Sequence, residues 1–277
     1  MTDILNVRDL RVAFPSRSGP VEVVRGVSFD LGRERLGIVG ESGSGKSQTG
    51  RAILGLTPPS GTVTADRLEF EGIDLRGAGP KLWRSLRGRR MSMVMQDPKF
   101  SLNPVMTVGR QIMEACRRQE GVTKAEARER AAAMLEAVQI RDPERVFNAY
   151  PHELSGGMGQ RAMIAMMLIT EPDLLIADEP TSALDVTVQL DVLRILDDLV
   201  ADRGMGLIFI SHDLRLVSSF CDRVLVMYAG RMVEQLKASE LHQAQHPYTQ
   251  GLLNCLPRID GDQHPLPTLK RDPAWLA

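Results

Sequence analysis

The chain carries near its N-terminus a run of eight residues of the kind that holds phosphate groups: Gly40-Glu41-Ser42-Gly43-Ser44-Gly45-Lys46-Ser47. An apolar, strand-like segment (36–39) precedes it, and a helix-like segment (48–56) follows. The glycines let the backbone curl so that successive N–H groups point at phosphate oxygens, and the helix N-terminus adds partial positive charge. Strand, glycine-rich loop and helix together predict a phosphate-binding loop.

Two side chains of this loop, and the residue after it, extend the prediction to a whole nucleoside triphosphate. Lys46 can reach the β- and γ-phosphates, and the Ser47 hydroxyl can ligate Mg²⁺. We assign the eight loop residues and Gln48 to the nucleotide site.

A second group of candidates ends an apolar run more than a hundred residues downstream, Leu174-Leu175-Ile176-Ala177-Asp178-Glu179. Such a run is typical of a buried parallel strand whose carboxyl end opens on the site. We expect Asp178 to hold the Mg²⁺ shell and Glu179 to polarise a water molecule against the γ-phosphate.

A third group opens another helix, Leu154-Ser155-Gly156-Gly157-Met158-Gly159-Gln160-Arg161, followed by an apolar run (162–170). A serine and two glycines at a helix start predict a second anion-binding end. One chain with two such ends is unusual for an ordinary GTPase or kinase.

Alternating and apolar segments indicate the elements that must position these groups. Alternation at Leu10, Val12 and Phe14, with strand-like stretches at 21–31 and 67–71, predicts an N-terminal antiparallel sheet. The stretch from about 100 to 170 is helical in pattern, with a capping box starting at Thr123. Residues 142–154 show little periodicity, which predicts a connector.

After Asp178 the pattern alternates between helix (187–203, stopped by Gly204), strand (207–210), helix and strand (224–228). Repeated alternation with buried apolar strands predicts a parallel α/β core. The methionines at strand spacing before Gln96 and at helical spacing after Gln160 are expected in the core.

Composition favours a soluble, cytosolic globular enzyme of 277 residues. With 34 basic and 35 acidic residues the formal net charge is -1, so nothing points to nucleic acid. The three cysteines lack C-x-x-C spacing and are expected to be free thiols. No apolar stretch approaches the ~20 residues that span a bilayer. Metal binding is not expected at the remaining histidines, because their spacing is not that of metal ligands: His152, His242, His246 and His264.

Taken together, these motifs resemble the ATP-hydrolysing subunit of ATP-binding-cassette (ABC) transporters over roughly residues 5–256. Residues 154–161 are similar to the family's signature and Ser182-Ala183-Leu184-Asp185 to its D-loop. The signature's fifth residue, usually glutamine, is Met158, which is frequent in the peptide and nickel importer branch. Gln96-Asp97-Pro98 with Ser101-Leu102-Asn103-Pro104, and His246-Pro247-Tyr248-Thr249, also resemble that branch.

The resemblance implies roles for residues whose patterns alone leave two interpretations open. Phe14 fits plain core packing, but in the family an aromatic here stacks on adenine. Gln96 fits a solvated strand end or the family's Q-loop glutamine, which ligates Mg²⁺ and senses the membrane subunit. His212, followed by Asp213, is similar to the switch histidine that bonds the γ-phosphate.

The resemblance also implies that two cassettes close head-to-tail. Ser155, Gly156 and Gly157 of one chain then cap the ATP that the other chain holds, and Asp185 links the two sites.

The implied fold is α/β: a P-loop NTPase ABC cassette with a parallel-sheet core, an N-terminal antiparallel β subdomain and an inserted helical subdomain. We expect a single cassette over 1–240, with its core at about 1–96 and 171–240 and the insertion at about 97–170. Residues 241–277 would form an extension of the peptide-importer type.

The expected function is an ATPase that energises import of di- or oligopeptides, with ATP and Mg²⁺ as cofactors. Expected partners are a second cassette subunit (a heterodimer favoured over a homodimer), two transmembrane permease chains and an extracytoplasmic solute-binding protein. The chain would lie peripherally on the cytoplasmic face of the inner membrane. Alternatives are a nickel or other small-solute importer, a soluble non-transport ABC ATPase, and a regulatory nucleotide-binding module. The last is disfavoured by Glu179.

Overall fold

The computed structural model describes residues 3–96, 101–181 and 184–256, together with Asp272 and Trp275. The chain divides into two compact units, the first comprising Met1–Gly77 and Phe209–Ala277 and the second comprising Ala78–Ile208. Among the helices described, none is both long enough and apolar enough to cross a lipid bilayer.

The elements follow in chain order. The strands are β1 (Leu5–Phe14), β2 (Val21–Leu31), β3 (Arg35–Val39), β4 (Thr62–Thr64), β5 (Arg67–Phe70), β6 (Ile73–Asp74), β7 (Met91–Val94), β8 (Leu174–Asp178), β9 (Gly206–Ile210), β10 (Arg223–Tyr228) and β11 (Arg231–Lys237). The helices are α1 (Lys46–Ile53), α2 (Pro80–Leu86), α3 (Val108–Cys116), α4 (Lys124–Ala137), α5 (Pro143–Asn148), α6 (Gly156–Leu168), α7 (Val186–Arg203), α8 (Leu214–Phe220) and α9 (Pro247–Asn254). Short 3₁₀ turns cover Pro151–Glu153 and Ala238–Gln243.

The first unit contains the antiparallel sheet that the N-terminal alternation predicts. Strand β1 pairs with β2 on one side and with β4 and β5 on the other, and β6 follows β5. Leu5, Val7, Leu10 and Val12 are fully buried along β1. The alternation of buried residues along β1 shifts by one position between Val7 and Leu10, because a β-bulge inserts one extra residue there. Asp9, within this bulge, has a φ of 47°.

The first unit also holds part of the parallel core. Strand β3 pairs in parallel with β10, and both consist mainly of buried residues. Arg35, the first residue of β3, forms an ion pair with Asp222, which directly precedes β10; the Arg35 Nη2 lies 2.7 Å from Asp222 Oδ1. This ion pair joins the starts of the two strands. Burial by itself raises the pKa of Asp222, but the hydrogen bonds and charge of Arg35 outweigh it and leave the pKa lowered.

Strand β11 pairs antiparallel with β10 and closes this part of the first unit. The sequence patterns did not predict β11 or the C-terminal helix α9. Both are short, and β11 is only half-buried, so neither shows a strong period.

The second unit contains the parallel pair β7 and β8 and the helices α2 to α7. The expected cap of α4 is present, since the Thr123 side chain accepts a hydrogen bond from Glu126 N. Helix α7 ends at Gly204 in the left-handed conformation (φ 63°), as predicted. The connector prediction for residues 142–154 was wrong in part, because α5 lies there with Asp142 as its N-cap and Pro143 as its first residue.

The expectation for the methionines holds for some of them and fails for others. Met91, Met93 and Met163 are buried in the core. Met95, Met166 and Met167 are only half-buried, so the prediction of core packing was wrong for these three. Met166 and Met167 line a cavity of about 310 Å³ in the second unit.

Candidate functional site

The loop that follows β3 owes its shape to glycines at positive φ. Gly40, Gly43 and Gly45 have φ values of 150°, 80° and 100°. A Cβ on Gly40 would lie 2.1 Å from the carbonyl oxygen of Met227, and one on Gly45 would lie 2.5 Å from that of Val23. Only glycine therefore fits these two positions without moving backbone.

Lys46 is the first residue of α1 and lies at the base of this loop, with 6% of its surface exposed. Its Nζ donates hydrogen bonds to the carbonyl oxygens of Gly40 and Glu41, each at 2.8 Å. The loop thus curls around a buried ammonium group. A bound polyanion would offer that ammonium group stronger, charged acceptors.

Polar atoms of the loop are arranged to receive a ligand. Ser44 Oγ and Gln48 Oε1 are buried and have no hydrogen-bond partner among the described residues. A cavity of about 180 Å³ adjoins the loop, lined by Glu41, Ser42, Gly43, Ser44, Tyr228 and Ala229. Buried polar atoms are normally bonded, so the unbonded Ser44 hydroxyl group, which can donate to a phosphate oxygen, fits a loop built for a phosphate ligand, whereas Gln48 Oε1 can only accept a hydrogen bond.

Phe14, at the end of β1, is half-buried and packs over Gly61. A Cβ on Gly61 would lie 2.7 Å from Phe14 Cε1. Glycine therefore leaves room for the ring.

His212 is exposed two residues after β9. Its neighbours are fixed: Ser211 N donates to Ile38 O in β3 at 3.2 Å, and Asp213 caps α8 through bonds from Arg215 N and Leu216 N. Ile38 lies two residues before the glycine loop. The hydrogen bond from Ser211 to Ile38 therefore places His212 at the end of the sheet from which the loop emerges.

In the second unit, β7 and β8 deliver Gln96 and Glu179 to one place. The parallel register pairs Met91 with Leu174 and Val94 with Ala177, and Gln96 and Glu179 continue that register beyond the strands. Gln96 Nε2 donates to Glu179 Oε2 at 2.8 Å.

Asp178, the last residue of β8, is 3% exposed, whereas Glu179 is half-buried with a φ of 49°. A left-handed conformation is uncommon for a residue other than glycine and costs on the order of 1 kcal/mol. This conformation turns the chain sharply at the strand end, where Glu179 comes directly after the buried acid.

The predicted second anion-binding end is the start of α6. Ser155 is its N-cap, accepting from Met158 N, and Gly156 begins the helix. Gln160, on the same helix, is fully buried and donates from Nε2 to the carbonyl oxygen of Pro180 at 2.7 Å. This bond ties α6 to the peptide unit next to Glu179, a link that the sequence analysis did not anticipate.

Asp185 caps α7 by accepting from Val188 N. Ser155 and Asp185 line one cavity of about 570 Å³ in the second unit, so the structure brings these two predicted residues together. Ser182 and Ala183 of the predicted D-loop lie outside the described residues.

Tyr248 is a contact of the loop that sequence reasoning missed. It is fully buried, and its hydroxyl oxygen accepts a hydrogen bond from Glu41 N at 2.9 Å. The only signal was the run His246-Pro247-Tyr248-Thr249, which the sequence analysis used as a mark of a branch without giving it a role. His246 serves here as the N-cap of α9.

The sequence matches two family descriptions. Residues 24–182 match "ABC transporter", and residues 233–276 match "Oligopeptide/dipeptide transporter, C-terminal region". Among curated relatives, the chain is 48% identical over 263 residues to the dipeptide transport ATP-binding protein DppD of Bacillus subtilis, covering 94% of this chain and 78% of that one. It is 46% identical over 272 residues to the oligopeptide transport ATP-binding protein OppD of Salmonella typhimurium, covering 98% and 81%.

Solved structures give the same picture of the fold. The ATP-binding cassette MJ0796, in a dimeric post-hydrolysis state bound to ADP and Pi, is 25% identical with a TM-score of 0.75, covering 84% of this chain and 98% of that one. The structure of cbiO1 from Clostridium perfringens, part of the ABC transporter complex cbiONQ, is 27% identical with a TM-score of 0.70, covering 88% and 92%.

Proposed function

The chain belongs to the ABC transporter family as an ATP-binding, ATP-hydrolysing subunit, and from this premise we propose that it energises the uptake of dipeptides or oligopeptides. One observation carries the proposal. The chain that holds the glycine-shaped phosphate loop also matches the C-terminal region of oligopeptide and dipeptide transporters over residues 233–276.

In the proposed mechanism, the first unit binds the nucleotide. The loop amides from Gly40 to Ser47 and the ammonium of Lys46 hold the phosphates, with Gln48 beside them. Lys46 exchanges its two carbonyl acceptors for phosphate oxygens, because charge-assisted bonds are stronger. Phe14 stacks on adenine, and His212 bonds the γ-phosphate and senses its loss.

The side chains that we propose as Mg²⁺ ligands suit that ion by their chemistry. Ser47, Asp178 and Gln96 offer hydroxyl, carboxylate and amide oxygens, the hard donors that this ion prefers, and Asp178 is a nearly buried acid. When bound, the ion would neutralise charge on the β- and γ-phosphates.

Glu179 is the proposed base. Its carboxylate holds a water molecule in line with the γ-phosphate and takes a proton from it as the water oxygen attacks the γ-phosphorus. The bond from the γ-phosphorus to the bridging oxygen breaks, and ADP leaves. Gln96 already bonds this carboxylate, so Gln96 is placed to orient it or to release it.

The family implies a pair of cassettes and permease partners, and we propose how the pair is completed. Ser155, Gly156 and Gly157 at the start of α6 cap the ATP of the partner cassette, and Asp185 links the two sites. A second, related cassette subunit is favoured over a second copy of this chain. Two permease chains and an extracytoplasmic solute-binding protein complete the importer, which places this chain on the cytoplasmic face of the inner membrane.

For the domain organisation we propose one cassette over 1–240, with a core at about 1–96 and 171–240 and a helical insertion at about 97–170. Residues 241–277 form the extension of the peptide-importer type. A nickel or other small-solute importer is the alternative function. The names of the curated relatives favour peptides over this alternative.

Substitution of Lys46 tests the nucleotide site. Lys46→Ala removes the buried cation of the loop, so we expect the Kd for ATP to rise about 100-fold, as charge-assisted bonds to phosphate are lost. Lys81→Ala, which removes an exposed lysine from α2, is the control and should bind as wild type does. An unchanged Kd in Lys46→Ala, measured by titration calorimetry, would show that the loop is not the site.

A further inference from the structure

The C-terminal part of the first unit contacts the phosphate loop through Tyr248 of α9. Tyr248 and Glu41 are 207 residues apart, yet the Tyr248 hydroxyl oxygen accepts the Glu41 N–H at 2.9 Å. No surface of Tyr248 is exposed, so its hydroxyl group lies on the protein side of the loop and not on the ligand side.

Tyr248 is itself firmly placed. His246 caps α9 by accepting from Tyr248 N, and Pro247 occupies the first turn of the helix. Glu234 of β11 accepts hydrogen bonds from the backbone N–H groups of Gln245 and His246. The start of α9 is therefore tied to the sheet on which the loop also rests.

Aromatic rings support Tyr248 on its other sides. Its ring lies 4.5 Å from that of Tyr228 and 5.7 Å from that of Trp275, measured between centroids, and the rings of Tyr228 and Trp275 are 5.6 Å apart. Such close aromatic contacts favour one fixed orientation of the Tyr248 ring. The hydroxyl group is thus a rigid anchor for the loop.

The bond completes a set of hydrogen bonds that holds both backbone groups of one loop residue, Glu41. Glu41 gives its N–H to Tyr248, while its carbonyl oxygen accepts from Lys46 Nζ at 2.8 Å and from Ser44 N at 3.2 Å. When Lys46 turns to phosphate, the carbonyl loses one of these bonds, but the bond to Tyr248 is unaffected. We therefore expect the first turn of the loop to keep its position when a ligand binds.

We propose that Tyr248 is a positioning residue of the nucleotide site, which preorganises the phosphate loop through the Glu41 amide and so raises affinity for ATP. This inference rests on the proposed function of residues 40–47. Preorganisation raises affinity because less chain entropy is lost when the ligand binds. The C-terminal segment around His246-Pro247-Tyr248-Thr249 is then part of the nucleotide site of its own chain.

The test compares two variants that each remove one buried hydroxyl group from neighbouring residues. Tyr248→Phe keeps the ring and its packing but loses the acceptor for Glu41 N–H. Thr249→Val is the matched control, since Thr249 is equally buried and its Oγ1 has no hydrogen-bond partner among the described residues. We expect the Kd for ATP to rise about fivefold in Tyr248→Phe and to stay unchanged in Thr249→Val.

A split between binding and turnover separates positioning from a general structural effect. Tyr248 is expected to touch no reacting atom, so in the pair assembled with the related cassette subunit kcat at saturating ATP should stay within about twofold of wild type while the KM for ATP rises. Hydrogen exchange gives a second, direct measurement without ATP: the Glu41 amide should exchange faster in Tyr248→Phe but not in Thr249→Val.

The outcomes distinguish this inference from the proposed function. If Lys46→Ala abolishes ATP binding but Tyr248→Phe leaves both the Kd and the Glu41 exchange rate unchanged, the positioning role is wrong and the phosphate loop stands. If Lys46→Ala binds ATP normally, residues 40–47 are not the nucleotide site, and the positioning role proposed for Tyr248 is contradicted as well. Faster Glu41 exchange together with a raised Kd supports the inference.

Discussion

Gln96 and Glu179 meet through a hydrogen bond of 2.8 Å between Gln96 Nε2 and Glu179 Oε2. The bond follows from the register of β7 on β8, which keeps residues 83 positions apart side by side. The residue proposed to sense the permease therefore holds the residue proposed to activate water. A displacement of Gln96 would therefore act directly on the Glu179 carboxylate.

Replacement of Glu179 tests its role as the base. Glu179→Gln keeps an acceptor oxygen for Gln96 Nε2 and keeps the shape of the side chain, but it cannot take a proton. We expect ATP binding near that of wild type, turnover lowered by about 10²–10⁴-fold, and an ATP-bound dimer that persists. Steady-state ATPase assays and gel filtration with ATP, both done after the related cassette subunit is added, measure these effects.

The control for this change is Glu129→Gln, which alters an exposed carboxylate on α4 in the same unit. Its turnover should match that of wild type. Wild-type turnover in Glu179→Gln would instead remove Glu179 from the mechanism.

The packing of Phe14 over Gly61 gives a prediction about adenine. In Gly61→Ala the new methyl group would lie 2.7 Å from both Phe14 Cε1 and Thr57 Cγ2, so the ring must move. If Phe14 stacks on adenine, a loss of about 1 kcal/mol raises the Kd for ATP about fivefold. Inorganic tripolyphosphate, which has no base, should bind Gly61→Ala as it binds wild type.

Gly79→Ala is the matched control, because a Cβ at Gly79 meets no atom within 4 Å and its φ is negative. Equal losses of ATP and tripolyphosphate affinity in Gly61→Ala would show damage to the loop and not to base stacking. An unchanged Kd for ATP would assign Phe14 to core packing alone.

The three cysteines should differ in reactivity. Burial raises the pKa of the Cys221 thiol to about 12, so at pH 8 only about 10⁻⁴ of it is the reactive thiolate. Burial also raises the pKa of Cys116. Cys255 is half-buried, and we expect iodoacetamide to label it first in the native protein, as read by peptide mass spectrometry.

Raising the pH from 7 to 10 should still leave Cys221 labelled more slowly than Cys255 while the fold is intact, because the Cys221 thiol is buried and only about 1% of it is thiolate even at pH 10. Unfolding in urea should make the three sites equally reactive. Fast labelling of Cys221 in the native protein at pH 8 would contradict its burial beside β3.

A composite site predicts how activity depends on concentration. The start of α6 is proposed to cap a partner's nucleotide, so the purified chain alone should have negligible ATPase activity. We expect activity to return when the related cassette subunit is added. Activity that rises with the concentration of this chain alone would favour a homodimer, and strong activity independent of concentration would contradict the composite site.

Local patterns were sufficient to predict many of the elements and the candidate residues at their ends. The glycine loop, Asp178 and the cap of α7 each depend on a few neighbouring residues, and their types reflect backbone geometry or burial at that point. The apolar runs before Gly40 and Asp178 did form buried strands. Helix α5 was not predicted, because a helix of 6 residues is too short to show an apolar periodicity. The pair Asp142-Pro143 is nevertheless a standard helix start.

Relationships between distant residues could not be predicted in this way. The bond from Glu41 to Tyr248 joins residues 207 positions apart, and it requires β11 and α9 to return to the loop. The meeting of Gln96 and Glu179 requires knowing that β7 and β8 are neighbours in register. Periodicity shows that a strand exists, but strand order is decided by the packing of the whole chain.

The bond from Gln160 Nε2 to the carbonyl oxygen of Pro180 has a consequence for cooperativity. In the proposed head-to-tail pair, the start of α6 contacts the ATP that the partner holds. Pro180, in contrast, directly follows Glu179 of the chain's own site. In that pair, this buried hydrogen bond would connect the helix that meets the partner's ATP to the residue that follows this chain's own Glu179. The two hydrolysis events should therefore not be independent, and the rate should depend on ATP concentration with a Hill coefficient above one.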